Sequence, residues 1–266
     1  MTTVQAIFLG IIQGLTEFIP VSSTAHLLVA EHFMGLDPQN DALFSFSVLV
    51  QVGTLVSVFV FYWSELLGLL KAFFAKPFSS GENKLAWYII LATAPALIFG
   101  FVLKDAVEVL FRNPLGEAAI RLFTAAVLLF LAEWLTKKDR KLDSMTWLDA
   151  LFIGILQVLA IFPGASRSGT TISGGMFRGF DRPSAARFAF LMSVPVMLAA
   201  GAYEMLDVIQ MPDLSEFLPL LAIGFVTAAV VGWFAIKWLI GYLSKRSLYV
   251  FAAYCAVAGI ILYFLK

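Results

Sequence analysis

Gln157-Val-Leu-Ala-Ile-Phe-Pro-Gly-Ala-Ser-Arg-Ser-Gly-Thr170 decides the fold, because proline, glycine, two serines and an arginine interrupt an apolar run where a simple membrane span would continue. An earlier stretch is built alike: Gln13-Gly-Leu-Thr-Glu-Phe-Ile-Pro-Val-Ser-Ser-Thr-Ala-His26. Each passes from an apolar helix through a proline into a serine-rich segment able to cap a new helix. Aligning Pro20 with Pro163 sets Ser23 opposite Ser166. Residues 2–36 and 146–180 are therefore expected to form re-entrant helical hairpins.

Around these two regions the chain is 61% hydrophobic and 14% charged over 266 residues, against about 25% charged in a soluble domain. Hydropathy places spans near residues 44–64, 86–104, 117–136, 184–206, 216–238 and 248–265. The expected fold is all-α: a polytopic membrane protein of six transmembrane helices plus two re-entrant hairpins, forming one integral domain over 1–266. Each hairpin precedes three spans, which reads as a duplication with one repeat over about 1–140 and the other over about 141–266. Three crossings between the hairpins put them on opposite faces, the inverted-topology arrangement.

Charge placement agrees. Lys71, Lys76 and Lys84, then Lys137, Lys138, Arg140 and Lys141, then Lys245 and Arg246 follow the first, third and fifth spans, whereas residues 1–43 contain no lysine or arginine and the loop after the second span offers Arg112. The cation-rich side is read as cytoplasmic, with the cations as topology anchors and both termini outside. Met1-Thr-Thr-Val-Gln-Ala-Ile-Phe lacks the basic region of a cleavable signal peptide, so internal spans are expected to direct insertion. The net charge of zero gives no reason to expect a nucleic-acid partner. Cys255, the single cysteine, reads as a small buried hydrophobe.

Irregular backbone at membrane depth requires protein or a water-filled cavity to satisfy it, so the chemistry is expected where the hairpin tips meet. Glu17 shares a helical face with Gln13 and needs a cation, a proton or a metal beside it. Ser22, Ser23 and Thr24 follow Pro20, with His26 three residues after Ser23; a hydroxyl and an imidazole at that spacing can act as nucleophile and base, or one serine simply caps a helix. In the second tip Gly164 and Gly169 let backbone approach a ligand, and Ser166, Ser168 and Thr171 surround Arg167, whose fork suits a phosphate. The plainer role for Arg167 is to neutralise Glu17.

These two motifs, with Ile172-Ser-Gly-Gly after the second, resemble the undecaprenyl pyrophosphate phosphatase family over essentially the whole chain. The resemblance implies hydrolysis of undecaprenyl pyrophosphate to the monophosphate, which recycles the lipid carrier of peptidoglycan synthesis in the bacterial cytoplasmic membrane. It also implies a link to bacitracin resistance, the six-span fold with two re-entrant hairpins, and a site opening on the periplasmic side. The family's acidic motif is Glu or Gln, three residues, then Glu; Gln13 fills its first place here and leaves Glu17 as the principal acidic group.

On that footing Arg167 and the 164–171 backbone hold the pyrophosphate, with a divalent cation, Mg2+ or Ca2+, near Glu17. Ser23 is the candidate nucleophile and His26 its base or the acid for the leaving group. Attack by water with His26 or Glu17 as base, or by His26 itself, stays open. Gln13, Ser22, Thr24, Gly164, Ser166, Ser168, Gly169 and Thr171 are candidate substrate-binding residues. The polyprenyl tail stays among membrane lipids, and a homodimer is an admissible assembly. The rival reading is a transporter or polyprenyl phosphate flippase, because inverted repeats with re-entrant hairpins are also transporter architecture.

Overall fold

The computed structural model describes residues 1–37, 40–103, 114–161 and 165–265; Gly164 and Arg112 lie outside the described residues. Within these, eleven α-helices follow one another: α1 (Thr3–Thr16), α2 (Ser23–Phe33), α3 (Asp41–Phe61), α4 (Trp63–Phe73), α5 (Gly81–Val102), α6 (Pro114–Leu135), α7 (Trp147–Val158), α8 (Arg167–Phe177), α9 (Arg182–Val208), α10 (Leu214–Leu243) and α11 (Tyr249–Leu265). Helices α3, α5, α6, α9 and α10 are long and apolar enough to cross a membrane. The exterior is apolar too, with Phe74, Phe101 and Phe264 largely exposed, as suits lipid rather than water. The chain is a multi-pass helical membrane protein.

Helix α4 occupies residues expected to be loop. Its charges, Glu65 and Lys71, break the hydropathy, but Leu69 is buried and Leu66 and Phe73 pack on the core. Such a one-sided helix has too little apolar surface to register as a span. The cations at 138–141, expected as topology anchors, make ion pairs within the fold. Lys141 pairs with Asp181, Lys138 with Glu133, and Arg140 with Asp149, while Arg182 also pairs with Glu133. These ion pairs tie the α6–α7 connection to the start of α9.

The two hairpins correspond more closely than the proline alignment implies, and in a different register. Thr2 and Thr146 each close a capping box at the start of the first helix, with Gln5 and Asp149 as partners. Ser22 and Ser166 each cap the second helix, which is 11 residues long in both cases. Gly10-Ile-Ile-Gln13 and Gly154-Ile-Leu-Gln157 fall in the same frame. The sequence alignment is therefore corrected by one residue: Ser22, not Ser23, corresponds to Ser166, and Ser23 shares its position with Arg167. The prolines are poor markers of register, because the helix starts share one constant offset that Pro20 and Pro163 do not.

The first helix of each hairpin is wedged against a long neighbour. A side chain on Gly10 would lie 2.7 Å from the Gly224 carbonyl, and one on Gly14 would lie 2.7 Å from Val231, both on α10. On the other hairpin, a side chain at Gly154 would lie 2.8 Å from the Ala92 Cα on α5. Glycine at these places lets backbones approach closely enough to pack without a hydrophobic driving force from water.

Candidate active site

Helix α1 ends at Thr16, and Glu17 still donates its backbone N–H to the Gln13 carbonyl at 3.0 Å. The chain then turns through residues 18–22 before α2 begins. Ser22 carries this turn with φ +67°, a left-handed conformation uncommon for a residue with a Cβ, and its Oγ accepts the Ala25 N–H at 3.4 Å. The turn folds Ser23 back over the end of α1, where Ser23 Oγ donates to Glu17 Oε2 at 2.6 Å. Gln13 Nε2 donates to the same oxygen at 2.6 Å. All three side chains are buried.

The second tip is built around its cap. Ser166 Oγ accepts the Gly169 N–H at 3.2 Å, and a Cβ on Gly169 would press within 3.1 Å of the Ser166 Cβ, so glycine here leaves room for the cap. Arg167 is the first residue of α8, and its Nη2 meets Glu17 Oε1 in an ion pair joining the two hairpins. Ser168 Oγ adds a second tie, donating to the Ile19 carbonyl at 3.3 Å. Thr171 Oγ donates to the Arg167 carbonyl at 2.8 Å, so its hydroxyl serves the helix in this state. Thr24 is half-buried and enters none of these bonds.

The structure thus brings Gln13, Glu17, Ser23 and Arg167 together, but not Ser23 with His26. The expected hydroxyl–imidazole contact is not formed because the turn at Ser22 aims Ser23 Oγ at Glu17 instead. His26 Nδ1 lies 2.8 Å from the Ser22 carbonyl, which can only accept, so this nitrogen carries the proton. Its Nε2 then accepts from the Tyr254 hydroxyl at 2.7 Å, and the two rings stack at 5.8 Å. Nothing in the sequence marks Tyr254 as a partner; it lies on α11 in a run that reads as lipid-facing.

Arg121 and Glu117 also escape the sequence reading. Both are buried on α6, where Arg121 Nε donates to Glu117 Oε1 at 2.9 Å and Nη1 donates to the Ala165 carbonyl at 3.2 Å, one residue before the Ser166 cap. Their signal is an arginine four residues after a glutamate inside an apolar span, a spacing that pairs charges on one helical face. Arg121→Met is expected to leave Glu117 buried without its cation, at a cost of about 3–5 kcal/mol in stability. It should also loosen the 165–166 segment. Thermal unfolding in detergent checks the first effect, and faster amide hydrogen exchange at residues 165–166 checks the second.

Two buried polar atoms beside the ion pair have no partner among the described residues: Gln13 Oε1 and Arg167 Nη1. The site therefore combines a carboxylate already hydrogen-bonded to a hydroxyl, a guanidinium with a free edge and a free amide oxygen. That set can hold a phosphate against a serine whose proton has a waiting acceptor.

The sequence profile of the family described as Bacitracin resistance protein BacA matches residues 6–261. An Undecaprenyl-diphosphatase of Chloroherpeton thalassium is 39% identical over 98% of this chain and 96% of its own length. One of Caldicellulosiruptor bescii is 41% identical over 96% of this chain and 94% of its own. One of Methanobrevibacter smithii is 36% identical over 99% of this chain and 97% of its own.

Proposed function

The chain belongs to the Bacitracin resistance protein BacA family, and from that membership we propose that it hydrolyses undecaprenyl diphosphate to undecaprenyl phosphate and inorganic phosphate, returning the lipid carrier used in cell-wall synthesis. The observation that carries the reading is the Ser23–Glu17–Arg167 chain of contacts, which sets a hydroxyl, its proton acceptor and a phosphate-binding cation in one buried place.

In the first step Arg167 leaves Glu17 for the incoming phosphate. Ser23 Oγ attacks the terminal phosphorus, its proton passes to Glu17, and the anhydride P–O bond breaks to release the lipid monophosphate. In the second step water attacks the phosphorus of the phosphoserine as His26 Nε2 takes a proton from it, the Ser23 Oγ–P bond breaks to release inorganic phosphate, Ser23 regains its proton from Glu17, and His26 passes its proton to the departing phosphate. His26 reaches that task only after Tyr254 releases its Nε2.

A divalent cation, Mg2+ or Ca2+, fits this site in a limited way. Glu17 and Gln13 Oε1 would supply two protein oxygens; among the described residues no group of three or more His, Cys, Asp or Glu gathers to hold one, here or elsewhere. Such an ion would take its remaining ligands from the diphosphate and water, as Mg2+ commonly does, and would neutralise phosphate charge.

The same reading places six spans in the cytoplasmic membrane, with α1–α2 and α7–α8 as re-entrant hairpins of inverted repeats. The matched capping boxes and equivalent glycine contacts support the duplication. Helix α11, at 17 residues, spans about 26 Å, close to the roughly 30 Å hydrocarbon core. With the cation-rich end cytoplasmic, both termini lie outside and the site opens outward. The polyprenyl tail stays in lipid while only its head group enters, which avoids drawing a long apolar chain into water.

Protein purified in detergent and given farnesyl pyrophosphate is expected to release phosphate, with EDTA suppressing release and Mg2+ or Ca2+ restoring it. No phosphate from protein shown to be folded would sink the enzyme reading and favour a transporter, which binds the anion without cleaving it.

A further inference from the structure

Gln157 is the counterpart of Gln13 in the corrected register, yet its surroundings are opposite. Gln13 spends its amide N–H on Glu17, one helical turn further on. The residue one turn beyond Gln157 is Ile161, which offers no polar group. Gln157 is only 2% exposed, and both its Oε1 and its Nε2 are buried without a partner among the described residues. A buried amide left in this condition destabilises the fold, and an apolar residue of similar shape would not.

The position of Gln157 says what the amide is for. In the first hairpin, the side chain at this place reaches toward the first residue of the next helix, Ser23, through Glu17. The same register in the second hairpin would direct the side chain of Gln157 past Ile161 toward Arg167, whose Nη1 is likewise buried and, among the described residues, without a partner. Two such donors on one hairpin, converging as that register implies, would form an anion subsite in low-dielectric surroundings. The hydroxyl that attacks belongs to the other hairpin, so the phosphorus under attack lies on the first hairpin's side. The phosphate that remains on the lipid then falls to the second.

We propose that Gln157 is a substrate-binding residue, whose amide N–H together with Arg167 Nη1 holds the phosphate retained by the lipid product. The proposal rests on the hydrolase reading above. It makes the duplicated glutamines a divided pair, one orienting the carboxylate at the cleaved phosphate and the other gripping the phosphate that stays.

The test uses Gln157→Leu and Gln157→Met in the full chain, with farnesyl pyrophosphate as substrate and farnesyl monophosphate as competing product. Loss of a hydrogen bond to a charged group is expected to raise KM about tenfold, with kcat changed by less than about threefold. The inhibition constant of farnesyl monophosphate should rise by a similar factor. Thermal unfolding separates this from a structural role, because removing an unsatisfied amide is expected to raise the Tm of at least one variant. Unchanged KM and product inhibition in folded variants would overturn the proposal, as would a fall in Tm in both. If the unmodified chain releases no phosphate at all, the hydrolase reading has failed instead, an outcome the wild-type control reveals separately.

Discussion

Arg167→Ala is expected to lower phosphate release from a polyprenyl pyrophosphate about a thousandfold or more, equivalent to roughly 4 kcal/mol of transition-state stabilisation. Among the described residues the guanidinium is the one cation paired with Glu17, and it carries a second buried edge with no partner, so both charge and geometry at the phosphate depend on it. Arg167→Lys should fall between, since an ammonium keeps the charge but lacks the planar fork that grips two oxygens. The alanine variant also strands the Glu17 carboxylate among buried neighbours. Its Tm should therefore fall, and Glu17→Gln added to it should recover part of that loss without recovering turnover. Turnover within a few-fold of wild type in a folded Arg167→Ala protein would remove the arginine from the chemistry and leave it a strut between hairpins.

Ser23→Ala carries the other large effect. If Ser23 Oγ is the nucleophile, its removal abolishes the phosphoenzyme route and should lower kcat by at least about a thousandfold, leaving whatever water attack the remaining site supports. Ser22→Ala provides the internal contrast. Among the described residues the Ser22 hydroxyl is engaged in capping α2, at 3.4 Å; losing a cap of that kind costs about 1 kcal/mol of stability, and if Ser22 serves the substrate only as a binding residue, KM should move more than kcat. Rapid-quench labelling with a terminal-phosphate isotope should find label on wild-type protein and none on Ser23→Ala. Near-normal turnover by purified Ser23→Ala would eliminate the nucleophile assignment and turn attention to water activated by Glu17.

The two helix breaks are legible in the sequence because proline, serine and glycine together interrupt an apolar run, and one helix ends before each such stretch and another starts within it. Their relative register is not, since the helix starts set it and the prolines do not share their offset. The Ser23–Glu17 bond is hidden for a related reason. It exists because Ser22 adopts a positive φ, a backbone property that residue type alone does not announce. Hydropathy averages Arg121 away over an otherwise apolar span, and α4 is lost because its charges outweigh its single buried stripe. His26 does belong to the polar tip, as its place after Ser23 implies, but its partner Tyr254 is 228 residues distant in sequence, beyond the reach of any local spacing rule.

The contact between Glu17 and Arg167 has a bearing on inhibition. With no substrate present the arginine is already occupied by an acid fixed to the same molecule, and such a tethered group acts at a high effective concentration. A head-group mimic must dislodge this resident competitor before it gains anything from the guanidinium. Compounds with a single weak negative charge are poorly equipped to do so, whereas a doubly charged phosphonate that also donates a hydrogen bond to the freed carboxylate answers both halves of the exchange.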